Sequence, residues 1–502
     1  MKIKYLTYIA IAAITFSCTK LNEKVYDRIP GDQYPETPEQ IASLSVVTYQ
    51  KLQNMADDGS DQYGGWWFLA QEISSDEVCA PTRAADWYDG GKWLNMHRHT
   101  WTSNDEGVNR MWQLFWTGIT TCNQTLDLME KIPQNAALTA KKKEVQVVRS
   151  FYYYLLIDNY GDAPYLTSAE NAPAKPLKVK RAVIYDSLVA TITRALPSLK
   201  AIDRKYMMTK YSAFALLAKL YLNAEVYTGT PEWQKASDMC DSVMTGPYSL
   251  SADVSEPFKT ANDNCPEIIF SIPYDEDNFT GFRIHMRTLH YQMNLKYNMQ
   301  VGPWNGFCIV PTFWDTFQSI DKRREAYNLW GLQYSAAGPV ILDGETNLPL
   351  DIDPHVAALY MPAASYTPTQ IRTSGARIGK YEIKMGAKES LSNDFPLFRI
   401  TDFYLMKAEA QIHLGNNGDQ WINPIRARAG VAAWSGTTLD SLLAERGREL
   451  YCEGHRRQDL IRFGKWEQAW WEKLANTDQT LRTFPIPKWA TDANPNLLLP
   501  PQ

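Results

Sequence analysis

Residues Ala444 to Trp466 read AERGRELYCEGHRRQDLIRFGKW, a stretch in which charged and apolar side chains are closely mixed. Oppositely charged residues recur three and four positions apart, the spacings at which side chains meet on one face of a helix. Such pairs contribute at most about 1 kcal/mol each when they face solvent, whereas charges buried between helices must be fully partnered. A solvated amphipathic helix is the ordinary alternative, but we expect a helix that buries ion pairs and fixes the packing around it. The charged residues are Glu445, Arg446, Glu449, Glu453, Arg456, Asp459 and Arg462.

Periodic apolar residues elsewhere in the chain predict further helices, and these occur in pairs. Large apolar side chains fall three and four positions apart, and small alanines between them let a second helix approach closely. In one pair, Thr230 is placed to cap the second helix and Pro231 to occupy its first position. The pairing is typical of tetratricopeptide-like repeats, with unrelated helical hairpins as the alternative. The predicted helices are 141–158, 211–227, 231–244, 401–415 and 418–429.

Two parts of the chain, about residues 57–103 and 246–399, have many Gly, Pro, Asn and aromatic residues and little helical periodicity. Short strand-like runs occur in them, such as 267–272. Loops of this length in a compact protein are usually functional. We therefore expect these loops and a few short strands to form a ligand face on a mainly α scaffold. The helical scaffold comprises about residues 38–56, 104–245 and 400–475.

The aromatic residues of these loops suit a carbohydrate ligand. A sugar ring has an apolar face and a polar rim, so its site needs an exposed aromatic ring beside amides, carboxylates or guanidiniums. The segments DWYDGGKW, from Asp86, and PWNGF, from Pro303, hold that mixture next to turn residues. We expect Trp87, Tyr88 and Trp304 to be exposed there, although core packing is the commoner role of any one tryptophan. The tryptophans assigned to the core are Trp66, Trp67, Trp112 and Trp116.

The predicted ligand contacts combine stacking rings with hydrogen-bonding groups. Each ring adds only on the order of 1 kcal/mol beyond the area it buries, so affinity should depend on several rings together. Arg372 is suited to a hydroxyl group or to an acidic sugar. The predicted ligand-binding residues are Trp87, Tyr88, Trp93, Trp304 and Trp330 as rings, and Asp86, Asp89, Asn305 and Arg372 as polar groups.

The N-terminus predicts export and lipid attachment. Lys2 and Lys4 precede an apolar run from Tyr5 to Phe16, and Cys18 follows almost at once. The run is shorter than the roughly 20 apolar residues that span a bilayer, so it reads as a signal peptide. We expect residues 1–17 to be removed and the thiol of Cys18 to carry a lipid anchor.

Composition indicates one large domain, residues 18–502, because no linker or low-complexity tract divides the chain. The formal net charge is −5 and no Lys/Arg-rich run is present, which argues against a nucleic-acid partner. The spacing of the remaining cysteines matches no small disulfide framework, so we expect mostly buried thiols and predict no pair. These cysteines are Cys79, Cys122, Cys240, Cys265, Cys308 and Cys452.

A search for catalytic patterns finds little. The chain has no nucleophile elbow, zinc-protease helix, phosphate-binding loop or dinucleotide fingerprint. His97 and His99 lack an evident third metal ligand, and we expect both to be hydrogen-bonded within the fold. No cofactor or metal is predicted, although acidic loops leave a structural calcium ion open. A glycosidase carboxylate pair also remains an alternative, because its members need not be close in sequence.

The segment EGHRRQDLIRFGK resembles the C-terminal signature of the SusD/RagB family of nutrient-uptake lipoproteins. Further blocks resemble the family in the family's order, and together they extend over most of the chain. They are FLAQEISSDEV from Phe68, HTWTSNDEGVNRMW from His99, DNYGDAPY from Asp158, FRITDFYLMKAEAQIHLGN from Phe398 and FPIP from Phe484.

The resemblance implies a SusD-like fold, mainly α, with tetratricopeptide-like helix pairs and a loop-built ligand face. It also implies a non-enzymatic lipoprotein, anchored through Cys18 in the outer membrane and facing the exterior. Such a protein captures oligo- or polysaccharide and delivers it to a TonB-dependent, SusC-like transporter. The alternatives are a peptide- or partner-binding helical scaffold and a secreted glycoside hydrolase.

Overall fold

The computed structural model of the chain describes residues 38–56 and 66–502. The predicted signal at 1–17, the predicted lipidation site Cys18 and residues 57–65, where a loop was predicted, lie outside this part. Within the described residues, no helix is both long enough and apolar enough to cross a membrane. The described chain is mainly helical with short strands and long loops, as predicted. The part predicted to be loop-rich at about 57–103 also contains two short helices, Trp67–Ile73 and Lys92–Arg98.

The first helical part contains long helices that pack beside their neighbours in sequence. It comprises α1 (Pro38–Gln50), α2 (Trp67–Ile73), α3 (Lys92–Arg98), α4 (Glu106–Glu130), α5 (Ala136–Tyr160), α6 (Arg181–Ala195), α7 (Lys210–Leu222), α8 (Ala224–Thr228) and α9 (Trp233–Met244). Helices α4 and α5 form one packed pair, and α7 and α9 form another. Fully buried Tyr152 of α5 and Leu216 of α7 belong to the core between these helices.

The rest of the chain adds short helices in the loops and longer ones near the C-terminus. The short helices are α10 (Ile284–Thr288), α11 (Asn294–Tyr297), α12 (Pro311–Trp314), α13 (Lys322–Ala326) and α14 (Pro368–Thr373). The C-terminal helices are α15 (Ile400–His413), α16 (Asp419–Arg428), α17 (Leu439–Leu450), α18 (Arg456–Arg462) and α19 (Lys488–Ala493). Helix α15 packs against α9, α16 and α17 and so joins the two helical parts. The predicted scaffold of packed helix pairs is confirmed.

The strands of the described loops pair two by two. They are β1 (Val78–Cys79), β2 (Thr82–Arg83), β3 (Ile268–Ile272), β4 (Cys308–Ile309), β5 (Asn328–Leu329), β6 (Gly331–Leu332), β7 (Asp351–Ile352), β8 (Tyr360–Met361), β9 (Arg377–Ile378) and β10 (Phe395–Arg399). Strand β3 pairs antiparallel with β10 and is buried at every residue, which confirms the strand predicted there. Strand β1 pairs antiparallel with β4, and β2 pairs parallel with β8.

Two helix predictions are corrected by local hydrogen bonds. Helix α9 begins at Trp233, so Glu232 and not Thr230 holds its N-cap position, and Pro231 lies before its first residue. The Thr230 N–H donates to Thr228 Oγ1 (3.1 Å) in the preceding turn. The single helix predicted at 211–227 is divided into α7 and α8 at Asn223, whose Nδ2 donates to the carbonyl oxygen of Lys219 (2.9 Å). Side chains that bond nearby backbone compete with helix continuation in this way.

Glu449, on α17, lies at the centre of a buried ion network. Its Oε1 is 2.5 Å from Arg428 Nη2 and 3.0 Å from Arg399 Nη1, and its Oε2 is 3.0 Å from Arg323 Nη1. The Glu449 side chain is fully buried, and the three arginine side chains are at most 4% exposed. Burial by itself raises the pKa of Glu449, but the three guanidiniums lower it to about 2. The stretch from Ala444 to Trp466 therefore buries ion pairs, as predicted.

That stretch forms two helices instead of the single one expected, because the chain turns between α17 and α18. The two helices are tied together by Arg446 Nε, which lies 2.7 Å from Asp459 Oδ2. Arg462, also on α18, lies 2.5 Å from Glu409 of α15. The charged side chains thus hold α15, α17 and α18 in fixed positions relative to one another.

Candidate functional site

An open groove of about 440 Å³ lies between the segment after β2 and the segment before β4. We call it the aromatic groove. It brings together five of the predicted ligand residues, which come from two distant parts of the chain. It is lined by Asp86, Trp87, Asp89, Lys92, Trp93, Arg287, Tyr291, Pro303 and Trp304.

Trp87 and Trp93 form the floor of the groove. Trp87 is 8% exposed and Trp93 is 1% exposed, and their ring centroids are 5.6 Å apart. Trp87 Nε1 donates to the carbonyl oxygen of Trp304 (2.7 Å), and its ring lies directly against Gly306, where a Cβ would come within 2.2 Å of ring carbons. Trp93 Nε1 donates to Asp89 Oδ2 (2.8 Å). The prediction that Trp87 is exposed is wrong, and neither ring offers an open face for stacking.

The rings that remain accessible are Trp304, Tyr291 and Tyr88. Trp304 and Tyr291 are half-buried at the groove, and Tyr88 is 48% exposed beside it. The Tyr88 ring meets the exposed ring of Tyr360 edge to face, with centroids 6.4 Å apart. The expected exposure of Tyr88 is confirmed. Tyr291 and Tyr360 were missed, since nothing in their local sequence distinguishes them from other loop tyrosines.

Asp86 and Asp89 supply acceptor oxygens at the groove. Asp86 accepts hydrogen bonds from the Tyr291 hydroxyl and from the Trp87 N–H (3.0 Å). Burial, and then the adjacent Asp86 carboxylate, raise the pKa of Tyr291 to about 12, so its hydroxyl is a donor at neutral pH. The Asp89 side chain is 48% exposed and lies 3.9 Å from Lys92 Nζ.

A second depression of about 330 Å³ adjoins the groove, and we call it the side pocket. Asp86 and Tyr291 line both depressions, so the two are adjacent. Small or apolar residues form much of its wall, which leaves open space beside the guanidiniums of Arg83 and Arg372. The other lining residues are Arg83, Ala84, Ala85, Glu345, Ala363, Tyr366, Pro368, Ile371 and Arg372.

Arg372 is already neutralised by carboxylates. Its Nε lies 2.7 Å from Asp343 Oδ2 and its Nη1 lies 3.0 Å from Glu345 Oε2. The guanidinium also covers the ring of Tyr291 at 4.8 Å. The predicted role in binding an acidic sugar is therefore not supported by the geometry, because a sugar carboxylate would compete with two protein carboxylates.

Asn305 has a structural position and not the ligand-facing one predicted. It is fully buried, its Nδ2 donates to the Arg372 carbonyl oxygen (3.0 Å), and its Oδ1 accepts from Arg377 Nη2 (2.8 Å). Its φ of 55° lies in the left-handed region, which asparagine tolerates better than most residues. Both ends of the amide are occupied, so Asn305 holds the loop below the groove.

Trp330 is not part of the aromatic groove. It lines another depression, of about 680 Å³, together with residues of the α14 segment such as Thr373. Its ring packs edge to face on Trp314 with centroids 4.9 Å apart, and Arg324 covers it at 5.5 Å. The structure thus separates Trp330 from the other predicted ligand residues.

The predicted core residues lie where expected, with one partial exception. Trp66, Trp67 and Trp112 are buried, and Trp116 is half-buried at the edge of the core.

His97 Nε2 bonds the Trp471 carbonyl oxygen and His99 Nε2 bonds that of Ser74, each at 2.8 Å. Burial lowers the pKa of His99 to about 2, so it is neutral, and the hydrogen-bonded role predicted for both histidines is confirmed. The described residues contain no cluster of three or more His, Cys, Asp or Glu placed to hold a metal ion.

Known proteins resemble this chain along most of its length. A model of the SusD family matches residues 362–498, and a model described as "starch-binding associating with outer membrane" matches residues 40–222. The starch-binding protein SusD of Bacteroides thetaiotaomicron is 24% identical, with 84% of this chain and 82% of that protein covered. SusD-like protein P25 of Formosa agariphila is 23% identical, with 99% and 98% covered.

A solved structure shows the same fold. It is surface glycan-binding protein A from Bacteroides thetaiotaomicron in complex with laminarihexaose, with a TM-score of 0.72 and 20% identity over 91% of this chain and 97% of that one. One family model matches the N-terminal helices and the other matches the C-terminal helices with the loop residues before them, and SusD-like protein P25 extends through the residues between the two models. The chain therefore belongs to the SusD/RagB family.

Proposed function

We propose that this chain is a non-enzymatic, lipid-anchored glycan-binding protein that captures neutral oligo- or polysaccharide in the aromatic groove. The observation that carries the proposal is the arrangement of half-buried Trp304 and Tyr291 around a groove bordered by the acceptors Asp86 and Asp89. An apolar ring face beside carboxylate oxygens matches the apolar face and hydroxyl rim of a sugar. Relatives described as binding starch or laminarihexaose support the same ligand class.

Two cations, Lys92 at the groove and Arg372 at the side pocket, are paired with carboxylates and favour neutral sugars. Lys92 Nζ lies 3.1 Å from Glu106 Oε2 and 3.9 Å from Asp89 Oδ2. Arg372 Nε lies 2.7 Å from Asp343 Oδ2. These cations are already compensated, so they give little gain to a sugar carboxylate or sulfate. The exposed Asp89 carboxylate would repel such a group.

Capture without hydrolysis fits the hydrogen bonds of the two groove carboxylates. Asp86 accepts from the Tyr291 hydroxyl, and Asp89 accepts from Trp93 Nε1. Both act as fixed acceptors that orient the aromatic walls and bind hydroxyl groups. With each accessible ring adding on the order of 1 kcal/mol beyond its buried area, binding is of modest strength and is released readily.

The rest of the proposal concerns place and partner. The N-terminal signal pattern and Cys18 support a lipid anchor. The matching model described as associating with the outer membrane supports that location, and we propose that the groove faces the exterior. A TonB-dependent, SusC-like transporter is the proposed recipient of the captured glycan. Membership of the SusD/RagB family supports this pairing.

The proposal is tested with the soluble chain begun after Cys18, in affinity gel electrophoresis against starch, laminarin, other neutral polysaccharides, and the uronate polymers alginate and polygalacturonate. Trp304→Ala is compared with Trp330→Ala, which removes a half-buried tryptophan outside the groove. Reducing sugar is measured in the same mixtures.

We expect retardation by one or more neutral polysaccharides, weakened about tenfold or more by Trp304→Ala and unchanged by Trp330→Ala. Retardation that both variants weaken equally would contradict the placement of the site. Release of reducing sugar would contradict the non-enzymatic assignment. No retardation by any neutral polysaccharide would contradict glycan capture itself.

A further inference from the structure

Two cysteines face each other on strands next to the segments that form the aromatic groove. Cys79 of β1 and Cys308 of β4 are antiparallel partners in register. Their sulfur atoms are 3.6 Å apart, and both residues are fully buried. They are 229 positions apart in sequence, so their wide spacing gave no signal of the contact.

The backbone geometry of this contact suits a disulfide. Directly opposed residues on antiparallel strands have Cα atoms about 4.5–5.5 Å apart, within the range of about 4.4–6.8 Å that disulfides occupy. A Cβ on Gly375 would lie 2.6 Å from Cys308 Sγ, so the chain leaves room for that sulfur only by having glycine there. A shift of about 1.5 Å brings the sulfurs from contact to a bond of about 2.05 Å.

The surroundings of the pair are electropositive. Arg83 and Arg377 are buried, and within the described part of the chain neither has a carboxylate partner at ion-pair distance. Burial alone raises the pKa of the Cys308 thiol, but the hydrogen bond with Cys79 and the two guanidiniums lower it to about 7. A thiol with a pKa near ambient pH is an effective nucleophile in disulfide exchange.

We propose that Cys79 and Cys308 form a disulfide when the chain folds in the presence of a disulfide oxidant. With glutathione disulfide, the Cys308 thiolate displaces one glutathione thiolate and forms a mixed disulfide. The Cys79 thiol then loses its proton as its sulfur attacks the Cys308 sulfur and displaces the second glutathione thiolate. Two protein thiols lose two electrons and two protons in total, and one glutathione disulfide becomes two glutathione thiols.

The bond would join the two walls of the groove. Strand β1 leads through β2 into the segment that carries Asp86 and Trp87, and β4 directly follows the segment that carries Trp304. A covalent link closing a loop of this length restricts the unfolded chain strongly. This inference concerns the cysteines alone, so it stands or fails independently of glycan capture.

The experiment uses wild-type chain begun after Cys18, refolded in a glutathione redox buffer and, in parallel, in dithiothreitol. Free thiols are alkylated with iodoacetamide in denaturant and located by peptide mass mapping. The oxidised sample should carry four alkylated cysteines and one linked peptide pair containing Cys79 and Cys308, whereas the reduced sample should carry six. Six alkylated cysteines after oxidative refolding, or a different linked pair, would overturn the proposal.

Variants give a second measurement. Cys122→Ser, which removes a buried cysteine of α4, should retain the linked pair, and Cys308→Ser should abolish it. The oxidised wild type should unfold about 5 °C or more above the reduced wild type. Equal unfolding temperatures for samples that mapping shows to differ would refute the stabilising role of the bond.

Discussion

Replacing Glu449 by Gln removes the negative charge from the centre of the buried ion network while keeping the size of the side chain. The three guanidiniums that pair with it would then have one carboxylate fewer to balance their charge, although their side chains are at most 4% exposed. They belong to Arg323, Arg399 and Arg428. Breaking a buried ion pair by removing one partner costs about 3–5 kcal/mol, because the remaining charge is left uncompensated.

The pKa of Glu449 gives a second route to the magnitude. A shift from 4.5 to about 2 corresponds to about 3 kcal/mol of stabilisation of the charged form. Both routes predict that Glu449→Gln lowers the free energy of unfolding by about 3 kcal/mol or more. The matched control is Asp492→Asn, which removes the acidic partner of Lys488 from a pair whose side chains are about 60% exposed. The control should cost less than about 1 kcal/mol.

Urea denaturation followed by far-UV circular dichroism measures both variants under identical conditions. If Glu449→Gln cannot be purified folded while Asp492→Asn can, thermal unfolding of the two proteins in cell extract gives the same ranking. A loss for Glu449→Gln no larger than that for Asp492→Asn would refute the claim that the network is a stabilising centre. The fold would then be held by its apolar core alone.

Three further outcomes are expected. Trp87→Ala should lower the free energy of unfolding by about 3–5 kcal/mol because it removes a buried ring, whereas Tyr88→Ala, at an exposed ring, should change it by less than about 0.5 kcal/mol. Equal losses in chemical denaturation would contradict the burial of Trp87. Gly306→Ala should lower the free energy of unfolding by about 1–3 kcal/mol, because the new Cβ would meet the Trp87 ring at 2.2 Å, whereas Gly302→Ala, with no contact closer than 4.0 Å, should be tolerated. Equal melting temperatures for the two variants would refute the close packing of Gly306 on Trp87. Burial raises the pKa of Asp459, but two guanidiniums lower it to about 2. The ionised carboxylate should therefore stabilise the wild type above about pH 4, and this stabilisation should be lost as the pH falls towards 2. A free energy of unfolding that stays constant between about pH 5 and pH 2 would contradict this prediction.

The helical scaffold was predictable because its signals are local. Apolar residues at three- and four-residue spacing identified α5, α7 and α15 without knowledge of their neighbours. The signals failed where a side chain bonds nearby backbone, as Asn223 does with Lys219 and Thr228 does with Thr230, because such bonds change the helix boundary without changing the apolar pattern. The dense charges around Glu449 indicated burial, although only the fold supplies the three arginines that pair with it.

The ligand region was predictable, but the role of each residue in it was not. Asp86, Trp87 and Trp304 do meet in one groove, as their loop composition suggested. Whether a ring is exposed depends on contacts distant in sequence, and Gly306, which accommodates the Trp87 ring, is 219 positions away along the printed chain. Asn305 looked like a turn residue with a free amide. Its Nδ2 instead donates to the Arg372 carbonyl oxygen and its Oδ1 accepts from the Arg377 guanidinium, and no local sequence pattern predicts these two partners.

The burial of the groove floor has an optical consequence. All seventeen tryptophans lie in the part of the chain that the structure describes; eight of them are buried, eight are half-buried, and Trp489 is 47% exposed. Native emission should therefore lie at shorter wavelength than that of the unfolded chain and shift to the red on unfolding. A sugar at Trp304 would alter one indole against the constant signal of the others, and Trp489 would respond to an added quencher whether or not the groove is filled. Intrinsic fluorescence is thus a sensitive reporter of unfolding in this protein and a poor reporter of ligand, for which an extrinsic dye placed at Tyr88 would serve better.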